Sequence, residues 1–324
     1  MPAFVMRRVQ AADHFLERWM VLLTPAAMAA GWRWQQVLSP YASASTWLFA
    51  LMTLALSLGT SWSDLRRVTA RPLPAAVALL LLHLVAPLYA WLAWQALFPA
   101  SPDMGIGLLL ATAVPTGVSA LLWVSLAGGD VPLALTLVAL DTLLSPLVVP
   151  LIIHLFAGRQ VPVAVGAFVL GLVKMAVLPT LLGVTSHDLT GGRLHRTLEP
   201  YAQLAAKVTM ILAVLLSVAN SAARLPTLDR HYLPAILILL ALSALGYLSG
   251  FAAARLLRWA KPVAVSLAYC TGFRNTVAGT VIAAAYFPPR VALTVCLMML
   301  FQQPLAALVH RLFTGGARRV SSAA

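Results

Sequence analysis

The sequence predicts an all-α polytopic membrane protein, with ten transmembrane helices in two inverted five-helix repeats. Three observations carry the prediction. The 324 residues are 61% hydrophobic and only 10% charged, against about 25% charged in soluble domains. Apolar stretches of about 20 residues, the length that spans a bilayer as a helix, recur along nearly the whole chain. A motif in the first half returns in the second. The short alternating strands of a β-barrel are absent.

The spans fall at 19–38, 44–62, 73–97, 104–126, 131–156, 162–185, 203–222, 232–254, 263–286 and 290–313. The first is interrupted by Trp32, Arg33 and Trp34, and it follows "MPAFVMRRVQAADHFLERWM". That segment lacks a cleavage site, and acidic residues follow its Arg7-Arg8 pair, so it reads as an amphipathic lead-in and not as a signal peptide. The stretch 186–202 reads as the one substantial loop. Trp19, Trp47, Trp62 and Trp259 lie near span ends and read as interfacial anchors.

The net charge of +13 does not point to nucleic acid, because the cations sit in short clusters between apolar runs. With the N-terminus inside, fifteen fall on cytoplasmic segments: Arg7, Arg8, Arg18, Arg66, Arg67, Arg71, Arg193, Arg196, Lys207, Arg255, Arg258, Lys261, Arg311, Arg318 and Arg319. Five, Arg33, Arg159, Arg224, Arg230 and Arg290, fall outside. This bias predicts a protein of the cytoplasmic (inner) membrane with both termini cytoplasmic. Cys270 and Cys296 lie within spans, so no disulfide framework is implied.

The repeat pairs "ALTLVALDTLLSP", Ala134 to Pro146, with "ALTVCLMMLFQQP", Ala292 to Pro304, at an offset of 158. Leu/Ala-rich helices match by chance, but the shared threonine and proline are not default membrane fillers. At nearly the same offset, Pro115-Thr116-Gly117 in the fourth span corresponds to Gly272 in the ninth. The expected division is 1–160 and 161–324, five spans each. An odd number per half makes the halves inverted, and inverted repeats with a broken helix in each point to a secondary transporter.

The candidate site lies at the two breaks. Pro115 removes a helix hydrogen bond and Gly117 loosens the backbone, with Ser119 just beyond. Thr271 and Gly272, followed by Asn275 and Thr276, are the expected second break. Meeting at the midplane, such breaks offer half-helix N-termini to an anion and carbonyls to a cation. Arg274, about ten residues into its span, is too deep to snorkel and needs a partner. Asp141 is the one acid within a span, so a buried Arg274–Asp141 pair is expected, either fastening two helices or serving coupling and anion binding. Lys174 either snorkels or lines a cavity. His83 reads as a hydrogen-bonded structural histidine, with proton handling as the alternative. Cys270 reads as a small hydrophobe or as a soft ligand.

"SDLRRVTARP" (63–72), "LAGGDVPLALTLVALDTLLSPLVVPLI", "LVKMAVLPTLLG" and "CTGFRN" (270–275) together resemble the bile acid:sodium symporter family over most of the chain. The second is similar to the family stretch "LAKGDVALSVTLTTVSTLLAPLLTPLL", and "CTGFRN" stands where many members have "ETGMQN". The resemblance implies a panel of helices one, two, six and seven, and a core of the other six. Broken helices 4 and 9 cross in the core beside two sodium sites, and organic anions bind between panel and core. Carried onto this chain, the sodium-site glutamate is Cys270, the following glutamine is Arg274, and the fourth-helix "SN" pair is Ala120-Leu121. Thr142, Gly272 and Asn275 are retained, and Asp141 replaces a small residue. A degenerate sodium site near Thr142, Cys270 and Thr271 is therefore expected, with Arg274 in the electrostatic place of sodium.

The expected function is secondary transport of a small organic anion by alternating access. Na⁺, H⁺ or no ion drives it, and no cofactor is expected. Partners are the substrate and the lipid bilayer, not nucleic acid. A non-transporting receptor or scaffold on the same fold is the alternative. No HExxH, GxSxG or clustered carboxylates suggest an enzyme.

Overall fold

The computed structural model describes residues 3–63, 72–158, 165–224 and 232–321. Among them, Arg66, Arg67, Arg71, Arg159 and Arg230 of the charge count are not included, nor is most of "SDLRRVTARP". Every named element is a helix, as apolar segments without water to satisfy their backbone require.

The helices in chain order are α1 (Ala3–Arg33), α2 (Gln35–Leu38), α3 (Ala44–Ser57) and α4 (Pro72–Leu97), then α5 (Pro102–Ala113), α6 (Ala120–Leu126) and α7 (Val131–Ala157). The second half has α8, from Val165–Leu172 through a π turn to Leu178–Leu189, then α9 (Arg193–Ala222) and α10 (Tyr232–Leu256). It closes with α11 (Lys261–Gly272), α12 (Thr276–Tyr286), α13 (Pro289–Leu297) and α14 (Met299–Ser321). Six helices among the described residues are long and apolar enough to cross a membrane, or seven if the bent pair Gln35–Tyr41 and Ala44–Ser57 is one span. Pro102–Ala113 and Thr276–Tyr286 are shorter apolar helices.

Two expectations change. The predicted loop 186–202 is mostly helix, because α8 runs to Leu189 and α9 starts at Arg193. Gly191 and Gly192, with φ of 57° and 73°, adopt the left-handed conformation that glycine tolerates without strain, so the chain reverses in three residues. The polar residues read as loop decorate helix ends instead. The lead-in is also continuous with the first span, as one 31-residue helix. Its acids are the reason: Lys207 Nζ on α9 lies 2.8 Å from Asp13 Oδ1 and 3.1 Å from Glu17 Oε2, so the helix is held well before the apolar stretch begins.

The helices pack in two groups. In one, α9 lies against α1 and α3, and α3 against α8. In the other, α10 packs on α11, α12 on α13, α13 on α5, and α5 on α4 and α7. α5 is buried on every side from Met104 to Ala113, which puts the end of this short helix deep inside the second group.

Candidate functional site

The interruptions between α5 and α6 and between α11 and α12 meet as an antiparallel bridge, Thr116 opposite Arg274. Asn275 N donates to Pro115 O at 2.7 Å and Gly117 N to Phe273 O at 3.0 Å. Each broken backbone thus satisfies the other, which removes the cost of bare peptide groups at depth. The first break is as the sequence suggests, with Pro115 and Gly117 inside it. The second differs: Thr271 and Gly272 remain helical, and the interruption is Phe273–Asn275. Gly272 does not loosen the backbone. A Cβ there would collide with the Tyr247 ring of α10, so the glycine permits close helix contact. Thr271 Oγ1 fastens the same contact by donating to Gly246 O of α10 (2.8 Å) or Leu267 O of its own helix (2.7 Å). Asn275 ends the break as the N-cap of α12, its side chain accepting from Ala278 N at 3.0 Å.

Asp141, on α7 and fully buried, is held from two directions. Thr116 donates to Oδ2 through its backbone N–H at 2.7 Å and its hydroxyl at 2.8 Å. The hydroxyl has a second acceptor within reach, Cys270 O at 2.9 Å, and with one proton it serves the carboxylate when Asp141 is ionised. On the other side His83 Nε2 lies 2.9 Å from Oδ1, an ion-pair distance. It is off hydrogen-bond alignment, so Oδ1 and both ring nitrogens have no hydrogen-bond partner among the described residues.

Arg274 is 3% exposed, and its partner is not the one expected. Among the described residues it makes no ion pair with Asp141 within 4.0 Å; the direct partner of Asp141 is His83. The physical reason is the bridge, which fixes the Arg274 backbone while backbone carbonyls accept its guanidinium. Nη1 approaches Val114 O and Nη2 approaches Leu82 O, both at 3.5 Å, long for hydrogen bonds. Val114 caps the C-terminus of α5, where unpaired carbonyls and the helix dipole favour a cation. Leu82, itself buried, has its carbonyl freed by its own sequence. It lies in the π turn Leu81–Val85 of α4, where Ala86 N donates to Leu81 O, and Pro87 has no N–H to give. Leu82 O is thereby left without its helical donor. Single π turns of this kind often mark functional sites, and this one also carries His83. The field of Arg274 still reaches Asp141.

The remaining predicted residues divide. Cys270 is buried at the crossing and contributes its carbonyl. Thr142 follows Asp141, but its hydroxyl donates to Val138 O of its own helix at 2.7 Å. Ser119 precedes α6 and is exposed, with no capping bond. Lys174 is exposed, in the second π turn, Val173–Val177, and does not join the cluster. Sequence reasoning missed two members. Thr116 was visible only as the middle of Pro-Thr-Gly. Gln302 of α14 donates from Nε2 to Arg274 O at 2.9 Å and accepts from Thr276 Oγ1 at 3.2 Å. Its signal was the Gln302-Gln303 pair in an apolar run.

The arrangement is one buried carboxylate with a guanidinium and an imidazole around it, where two half-helices end and two begin. The described residues include no group of three or more His, Cys, Asp or Glu suited to a metal ion.

The family model described as "Sodium Bile acid symporter family" matches residues 46–226. The chain is 33% identical over 296 residues to "Uncharacterized protein YbaS" of Bacillus subtilis (strain 168), covering 89% of this chain and 94% of that one. It is 24% identical over 240 residues to "Uncharacterized sodium-dependent transporter YocS" of the same organism, covering 74% and 73%. It is 26% identical over 137 residues to "Probable sodium/metabolite cotransporter BASS2, chloroplastic" of Oryza sativa subsp. japonica, covering 42% and 32%. With more than half its length matched by the family model, this integral membrane protein belongs to the sodium bile acid symporter family.

Proposed function

We propose that the protein is a secondary transporter that moves an organic anion across the cytoplasmic membrane by alternating access, with both termini cytoplasmic. The observation that carries this reading is the crossing of two interrupted helices at a buried polar cluster. Polar backbone at depth in a helical membrane protein is characteristic of substrate and ion sites.

The order of elements supports an inverted repeat. Taking α2 with α3, α5 with α6, α11 with α12 and α13 with α14 gives five segments before the 159–164 stretch and five after it. The interrupted pair is fourth in each set. The group of α1, α3, α8 and α9 then corresponds to a panel, and the remainder to a core. The N-termini of α6 and α12 and the guanidinium of Arg274 make the crossing favourable to negative charge, which supports an anionic substrate. The relatives' names speak of sodium-dependent transport and of sodium/metabolite cotransport.

The test is uptake by proteoliposomes of a panel of radiolabelled carboxylates of graded size, including taurocholate, with Na⁺ and pH gradients imposed separately. Accumulation of at least one carboxylate, with organic cations excluded, is expected. Uptake of organic cations alone would overturn the anion assignment. No flux of any solute by folded protein would favour a receptor or scaffold.

A further inference from the structure

The family description carries sodium, yet the crossing holds a cation of its own. Sodium coordination at helix breaks needs several oxygens free to replace the ion's water. Most of the oxygens here already accept a hydrogen bond or face a cationic or ring nitrogen. Asp141 Oδ2 takes both Thr116 donors, and Oδ1 faces His83 Nε2. Pro115 O accepts from Asn275 N and Phe273 O from Gly117 N. Arg274 O accepts from Gln302 Nε2 and Thr276 N. Leu82 O and Val114 O, the carbonyls freed by the π turn and by the end of α5, face the guanidinium. Thr142 Oγ1 and Thr271 Oγ1 donate to carbonyls of their own helices, and position 270 offers a thiol in place of a carboxylate. Any ion at those carbonyls would also lie beside a fixed positive charge in a site of low dielectric. The residues present do not fit sodium.

We infer that the guanidinium of Arg274 is a tethered cation that holds the place a sodium ion would need, so that this chain does not bind sodium at the crossing. The binding statement stands on this geometry. Its consequence, that uptake is not driven by sodium, rests on the transporter reading above.

The experiment is thermal melting of the full chain in nanodiscs, in NaCl, KCl and choline chloride at equal ionic strength, with saturation binding of radioactive Na⁺ alongside. A ligand that binds only the folded state raises the melting point. Wild-type protein and Arg274→Lys, which keeps the tethered charge, should melt at the same temperature in all three salts. Wild type should bind no saturable Na⁺. Arg274→Gln frees Leu82 O and Val114 O and adds an amide oxygen, so it should melt several degrees higher in Na⁺ than in K⁺. Saturable Na⁺ binding or a Na⁺-specific rise in wild type overturns the inference. A folded Arg274→Gln protein as indifferent to Na⁺ as wild type also overturns it. If Arg274→Gln does not fold, wild type and Arg274→Lys decide. Should wild type ignore Na⁺ yet transport no carboxylate, the transporter reading fails and the tethered cation remains.

Discussion

Replacing Thr116 with valine removes one hydroxyl from the centre of the crossing and leaves the side-chain shape almost unchanged. The backbone N–H to Asp141 Oδ2, at 2.7 Å, survives; the hydroxyl contact at 2.8 Å does not. A hydrogen bond to a charged group contributes about 1.5–3 kcal/mol, and a fully buried site has no water to replace it, so Thr116→Val should destabilise by about that amount. Thr116→Ser should cost less than about 1 kcal/mol more than wild type, because the donor is kept. Asp141→Asn removes the charge that His83 and Arg274 face and should cost about 3–5 kcal/mol. The double variant then loses the shared bond once, so its cost should fall short of the sum by more than about 0.5 kcal/mol. The assay is denaturant unfolding in mixed micelles, followed by fluorescence for wild type and the four variants. Additivity within about 0.5 kcal/mol would refute the carboxylate bond. The hydroxyl would then be serving Cys270 O, its other acceptor at 2.9 Å.

Three further outcomes are expected from the same assay. Gly272→Ala drives a methyl into the Tyr247 ring and should cost about 1–3 kcal/mol as an overpacked contact, reduced when Tyr247 is replaced by leucine. Asn275→Ala removes the cap of α12 and should cost about 0.5–2 kcal/mol, with Asn275→Asp close to wild type. His83→Leu should destabilise strongly when Asp141 is present and weakly in the Asp141→Asn background, since the contact at 2.9 Å is between those two groups.

Much of this was legible because lipid leaves a chain few choices. Unbroken apolar stretches have to be helical, so the class followed from composition, and Pro115 with Gly117 marked the first break directly. The second break falls just beyond the expected place, at Phe273–Asn275, because Gly272 has two possible uses, loosening a backbone or admitting a neighbour, and the neighbour, Tyr247, is on another helix. Arg274 was paired with the wrong group for a deeper reason. Its acceptors are backbone carbonyls, which every residue carries, and nothing in the identity of Leu82 or Val114 sets them apart. The sequence trace of the first was Pro87, four residues beyond His83, which can be read only once the π turn is known. Charge alone suggested Asp141, but backbone geometry decided the contact.

The polar bonds of the crossing also bear on how the molecule moves. They tie α4, α5, α7, α11, α12 and α14 to one another: Arg274 reaches Leu82 O and Val114 O, Thr116 reaches Asp141, and Gln302 reaches Arg274 O. All of these but α14 belong to the second packing group, and α14 touches that group through α6, α10 and α13 and the other through α1. The seam toward the group of α1, α3, α8 and α9 has a different character. Asn220 Nδ2 crosses it to Ala284 O at 3.1 Å, and nearby Met28, Trp32, Val218, Ile236, Leu293 and Leu297 surround an apolar cavity of about 200 Å³. Apolar contacts are not directional, so sliding across them breaks few bonds, whereas shearing the crossing would strand several buried polar groups. On the transporter reading, the two groups should therefore move as bodies along this seam. Cys296 of α13 lines the same cavity as Val218 of α9, which allows a test with one added thiol. In Val218→Cys protein, a short bifunctional thiol reagent should join the groups and abolish carboxylate uptake. In the same variant carrying Cys296→Ala the reagent should leave uptake as it was before treatment. Undiminished uptake by protein shown by mass spectrometry to be crosslinked would mean that the seam does not move during transport.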